Sequence, residues 1–210
     1  YTIFGNRWGL AIFIPMMLLF FSAYYFDHLG VLSLAITNLA AWAGITITPL
    51  QILTSNNFSS ARIIFTGIAL GILLIILSWF SIKKNIKSHF AFTYKNFGSH
   101  ILYISLIAAL FEFEGVYLIA FLIFAAVAFF FYREAIKTKS FYFLVITFLY
   151  AYIAAGYVVV NTIDITGNGI VTLYFSLFYF IGSGIVLIRL LMYYNKQLKA
   201  DDSLQQNRLV

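Results

Sequence analysis

At 210 residues, 63% of them hydrophobic and only 10% charged, the chain is too apolar to build a water-soluble domain. Its 13 lysines and arginines against 7 acids give a formal charge of +6, which in so apolar a sequence belongs to loop topology and anionic lipid headgroups, so a nucleic-acid partner is set aside. The absence of cysteine excludes disulfides, thiolate metal sites and cysteine nucleophiles.

A helix crosses the ~30 Å hydrocarbon core with about 20 apolar residues, and seven such runs are predicted. The first, 9–26, carries Pro15, which removes a backbone donor and predicts a kink near its start. Asp27 and His28 separate it from the second, 30–53, the most polar of the seven, with Ser33, Thr37, Asn38, Thr46 and Thr48 among small residues before Pro49. The third, 63–82, opens at Arg62 and closes on Lys83, Lys84 and Lys87. Lys95 and His100 sit early in the fourth, 93–111, where a long lysine stem reaches the headgroups. Only Glu112 to Gly115 separates it from the fifth, 116–132, so the two are expected to form a tight hairpin. The sixth covers 141–160, a turn-rich loop follows over 161–169, and the seventh covers 170–194. Residues 1–194 thus read as one transmembrane bundle and 195–210 as a polar cytoplasmic tail. Since the chain opens on Tyr1 with no cleavable signal pattern, further sequence ahead of it is expected.

Orientation follows from positive charge. Lys83, Lys84, Lys87, Lys95, Arg133, Lys137, Lys139, Arg189, Lys196, Lys199 and Arg208 fall on one side of this arrangement, and only Arg7 and Arg62 on the other. Eleven against two places the N-terminus outside and the C-terminus in the cytoplasm. The loop at Asp27 and His28 is assigned inside without a positive charge of its own. Tyrosines and tryptophans near the span ends, among them Trp8, Tyr24, Trp79, Tyr132 and Tyr194, fit interfacial aromatic belts.

Polar and small residues inside the spans are the candidates for function. In the second span Ser33, Thr37, Ala41, Gly44 and Thr48 share one helical face, with Asn38 and Trp42 beside it, a pattern that predicts close helix packing. Gly67 and Gly71 form a GxxxG contact motif in the third span, so the second and third spans are expected to meet. Glu112, Glu114 and Arg62 gather at the predicted outer mouth with Asn38 beneath them, as a candidate polar cluster. The competing reading makes the acids ordinary hydrated loop carboxylates, because ionisable groups mark function by default only within the membrane. No catalytic, cofactor-binding or metal-ligating motif is present. A retinal lysine in the last span, mid-bilayer acids of a coupled transporter, and the motifs of intramembrane proteases are all missing. Asp27 and His28 are adjacent but otherwise unaccompanied in the sequence.

The stretch from Tyr24 to Gly44, YYFDHLGVLSLAITNLAAWAG, resembles bacterial multispan membrane proteins of the domain-of-unknown-function family 2157. That resemblance implies a membrane location and fold, and sequence ahead of Tyr1, without implying an activity. The sequence therefore predicts an all-α, seven-span protein of a bacterial inner membrane, non-enzymatic and without cofactors, whose partners are the lipid bilayer and other membrane subunits. The expected role is an accessory or structural subunit; the alternative is a carrier or channel for a small or lipidic solute.

Overall fold

The computed structural model describes residues 8–47, 61–164 and 169–206, which form seven α-helices and one 3-10 turn. They are α1 (Trp8–Phe26), α2 (Leu29–Ile47), α3 (Ala61–Lys84), α4 (Phe90–Glu112), the turn Glu114–Val116, α5 (Tyr117–Lys137), α6 (Phe141–Asp164) and α7 (Gly169–Gln206). Arg7, the end of the second predicted span including Thr48 and Pro49, the loop at 165–168 and Arg208 lie outside the described residues.

Five segments are long and apolar enough to cross a membrane: Gly9–Phe26, Ala61–Lys84, Glu114–Lys137, Phe141–Asp164 and Gly169–Leu198. This is the architecture of a membrane protein. Two of the seven predicted spans are not in that set. In α2 the described apolar stretch is Leu29–Gly44, and residues 48–53 of the predicted span lie outside the described residues. α4 has the length, but Thr93, Lys95, Asn96, Ser99 and His100 in its first half leave it outside the apolar set. α4 hides part of that polarity by burial: Thr93, Ser99 and Ser105 are all buried, along with Tyr94 and Tyr103. Residues 195–206, read from the sequence as a polar tail, continue α7 without a break.

The helices group into two compact units, Tyr1–Glu112 and Phe113–Val210. In the first, α1 packs on α2, and α3 packs on α4 more closely than any other pair. α3 and α4 are antiparallel. Gly67 sits against Ser105, Gly71 against Gly98 and Leu102, and the Ser78 hydroxyl donates to the Ala91 carbonyl at 2.7 Å. A shared core of Ala23, Leu32, Ile36, Leu70, Leu74, Phe90 and Tyr94 draws on all four helices. In the second unit, α6 packs on both α5 and α7, and Ala135, Phe143 and Leu144 form a small core beside Leu191 and Tyr194.

The small-residue seam lies elsewhere than the sequence pattern suggests. α2 does touch α3, but its buried face is Leu32, Ala35 and Ile36, while Thr37 and Ala41 of the hydroxylated face are exposed. The reason is local. Ser33 and Thr37 each donate to the carbonyl four residues back, so their hydroxyls are satisfied within α2 and need no partner helix. Gly44 is half-buried on the same helix. The GxxxG of α3 works as a contact motif, with α4 as its partner.

Candidate functional site

Three helices end the same way. A residue just past the helix turns left-handed, and the following N–H reaches back five residues: Asp27 with His28 N to the Ala23 carbonyl, Asn85 with Ile86 N to Ser81, and Lys139 with Ser140 N to Ala135. This is the Schellman closure usually made by glycine. Aspartate and asparagine tolerate φ near 58° and 52° because their short side chains bond locally. The closure makes the α1–α2, α3–α4 and α5–α6 turns short, and it fixes where their side chains project.

In the first unit two of these turns are clasped together. Lys87 Nζ lies 2.6 Å from Asp27 Oδ1, and His89 Nε2 lies 3.0 Å from the same oxygen. The lysine itself has φ 50°, and its carbonyl accepts from Ser81 Oγ at 2.9 Å, as the Ile86 carbonyl does at 2.7 Å. His28 accepts the Val31 N–H on Nδ1 at 3.3 Å, so it caps the first turn of α2. Inward from the clasp, the His89 ring packs edge-on to Phe90, Phe90 edge-on to Tyr24, and the Tyr24 and Tyr94 hydroxyls share a 2.8 Å hydrogen bond. A charged surface group is thereby connected, ring by ring, to the four-helix core.

The hydrogen bond from Lys87 holds the Asp27 carboxyl below its ordinary value of 3.8, with the charges of His89 and Lys87 adding to it and partial desolvation opposing. A depressed carboxylate stabilises the fold above its unfolded pKa, and that stability is lost as pH falls through the folded value. Thermal stability of the wild type should therefore fall more steeply below pH 4 than that of Asp27→Asn, measured as melting temperature against pH in detergent. Parallel curves would remove the clasp from the acid response. Among the described residues no three histidines or acids converge as metal ligands. The clasp instead joins a carboxylate to an ammonium, which suits an ion pair.

The sequence-predicted cluster is placed as follows. Arg62, near the start of α3, and Glu112, at the end of α4, fall at one end of the antiparallel pair, and both are exposed. Glu114 is exposed in the 3-10 turn. Asn38 lies midway along α2 and donates to the Leu34 carbonyl at 3.0 Å. None of the four shares an ion pair with another among the described residues. The Asp27, Lys87 and His89 grouping was missed because its members come from loops 60 residues apart. A signal was present: an acid in a loop lacking positive charge, on the side where the next loop carries Lys83, Lys84 and Lys87.

The second unit has a related device. Tyr132 and Tyr194 share a 2.7 Å hydroxyl hydrogen bond beside Phe148, and Tyr152 donates to the Phe180 carbonyl at 3.1 Å. Tyr24, Tyr132 and Tyr194, read as belt residues, thus also act as cross-helix ties. No family model, curated protein or solved structure matches this chain, so the resemblance of the Tyr24 to Gly44 stretch to family 2157 finds no support in these comparisons.

Proposed function

We propose that the chain is a non-catalytic integral membrane subunit of a bacterial inner membrane, acting as an accessory or structural partner to other membrane proteins. One observation carries this reading: six polar side chains within the helices close on the backbone of their own helix. Thr37, Thr66, Thr147, Thr162 and Ser183 each donate to the carbonyl four residues earlier, and the Asn38 amide does the same. A solute pathway or catalytic centre requires donors and acceptors converging on a shared space, whereas groups closed on their own helix are compatible with lipid and packing.

The exposed surface of α7 supports the same reading. Ile170, Leu173, Leu177, Ile181, Ile185 and Ile188 form a stripe along one side, each at least half exposed, while Thr172, Ser176, Tyr179 and Ser183 share the less exposed side of the helix. Solubilised gently from native membranes, the chain should migrate with additional polypeptides in fixed stoichiometry by native mass spectrometry. Leu177→Ala with Ile181→Ala should release them without lowering the melting temperature of the chain itself. Migration as a single polypeptide, together with solute flux in proteoliposomes, would instead favour the carrier reading.

The proposed topology keeps the N-terminus outside and the C-terminus in the cytoplasm. The Asp27 to Lys87 clasp supports placing the first loop, which has no positive charge of its own, with the lysine-rich one, since both contribute to one ion pair. Single cysteines at Lys84 and Lys137 should react only with a reagent that reaches the cytoplasm, and one at Glu114 only from outside. Labelling of Glu114 and Lys84 positions from the same side would sink the assignment.

A further inference from the structure

We infer that the clasp end of the first unit binds the headgroup of an anionic phospholipid, with Lys83 and Lys84 as the phosphate-facing cations. Three independent features of this end converge. The first is its apolar display. Phe26, Trp79, Ile82 and Ile86 are 71%, 58%, 61% and 56% exposed, although they surround a loop carrying three lysines. Ile86 is not displayed by chance of a slack loop, because its own carbonyl is held by Ser81 Oγ and its neighbours Asn85 and Lys87 are both fixed in the left-handed region. Side chains of this mixed kind belong at the boundary between acyl chains and headgroups, where the apolar ones have hydrocarbon and the lysines have phosphate.

The second feature is charge accounting. Asp27 is the one acid in the two clasped turns, and it is engaged by Lys87 and His89. Lys83 and Lys84 are exposed, and among the described residues no carboxylate pairs with either. The clasp therefore removes the competing anion and leaves two adjacent cations for an external one. The third feature is depth. Lys83 Nζ lies 4.4 Å from the centre of the Trp79 ring, one helical turn earlier. An indole in this position marks the headgroup level, so the ammonium above it stands where lipid phosphates lie.

Selectivity follows from the lipid's own charge. In phosphatidylcholine the phosphate already carries a cation, whereas in phosphatidylglycerol it does not, so a pair of lysines gains only with the second. Each lysine near an anionic surface contributes about a fivefold preference.

The test compares lipids retained by the purified chain after exchange into nanodiscs of mixed phosphatidylglycerol and phosphatidylcholine, read by native mass spectrometry. The wild type should retain phosphatidylglycerol preferentially. Lys83→Gln with Lys84→Gln should lower that preference by about twenty-five-fold, and Lys83→Arg with Lys84→Arg should restore it. A charge-matched control, Lys137→Gln with Lys196→Gln, should change it little. Equal loss in the control, or no preference in the wild type, would overturn the site in favour of diffuse charge attraction. Full competition by soluble glycerol phosphate would overturn it in favour of a free-anion site. Should the glutamine pair fail to fold, Lys84→Gln alone is expected to give about a fivefold loss, and no loss there would also overturn the proposal.

Discussion

Gly71→Ala should destabilise the first unit by about 1 to 3 kcal/mol, the range of overpacked contacts that cannot relax by rotating a side chain. A methyl at position 71 would lie 2.8 Å from Leu102 Cβ, 2.9 Å from the Leu102 backbone nitrogen and 3.0 Å from the Gly98 carbonyl oxygen. Two of those three atoms are backbone, so α3 and α4 must move apart along their closest contact. In lipid that contact is held by van der Waals packing with little hydrophobic drive between helices, and separation forfeits it directly. Gly67→Ala should be milder. Its nearest neighbour is the Ser105 hydroxyl, which can turn away, leaving Ser105 Cβ at 3.2 Å to give slightly. Gly182→Ala on α7 meets nothing within 4 Å and should be neutral or slightly stabilising, since alanine is the better helix former. Melting temperatures in one detergent order the three. Gly71→Ala melting like Gly182→Ala would mean that the helices are not in contact there.

That contrast also shows what the sequence could carry. Apolar length places the helices, because a bilayer-scale run is visible in one dimension; all seven predicted segments overlap helices, with α5, α6 and α7 running past their predicted ends. A GxxxG motif announces that a backbone approaches, and Gly67 and Gly71 do approach one. It does not say which, and the partner is α4, whose Gly98 and Ser105 are separated by seven residues and so form no short motif. The hydroxyl stripe of α2 misleads for a related reason. Ser33 and Thr37 look like cross-helix donors in the sequence, yet the carbonyl four residues back, already accepting a backbone N–H, has a second lone pair within reach of the hydroxyl. The clasp is least legible, because it depends on Asp27 and Lys87 both turning left-handed at positions where glycine would have been the visible signal.

Phe90→Ala should cost about 2 to 3 kcal/mol. Part of the usual penalty for truncating a phenylalanine is transfer from water, which is reduced where lipid surrounds the helices, but the cavity term remains at roughly 24 cal/mol per Å3 of unfilled space. Phe90 is fully buried and begins α4, where it touches the core contributed by α1, α2 and α3. Its ring stands edge-on to Tyr24 at 5.2 Å and to His89 at 4.5 Å, so it supports the histidine arm of the clasp from beneath. Tyr24→Phe keeps that ring and removes only the 2.8 Å hydroxyl bond to Tyr94, for which about 1 kcal/mol is expected. The two variants should also separate in proteolysis. Removing the ring loosens the turn that carries Lys84 and Lys87, so trypsin should cut there faster in Phe90→Ala than in Tyr24→Phe at a temperature well below melting. If Phe90→Ala instead melts within about 1 kcal/mol of the parent and is cut no faster, the ring does not couple the clasp to the core, and the two turns are held by their charges alone.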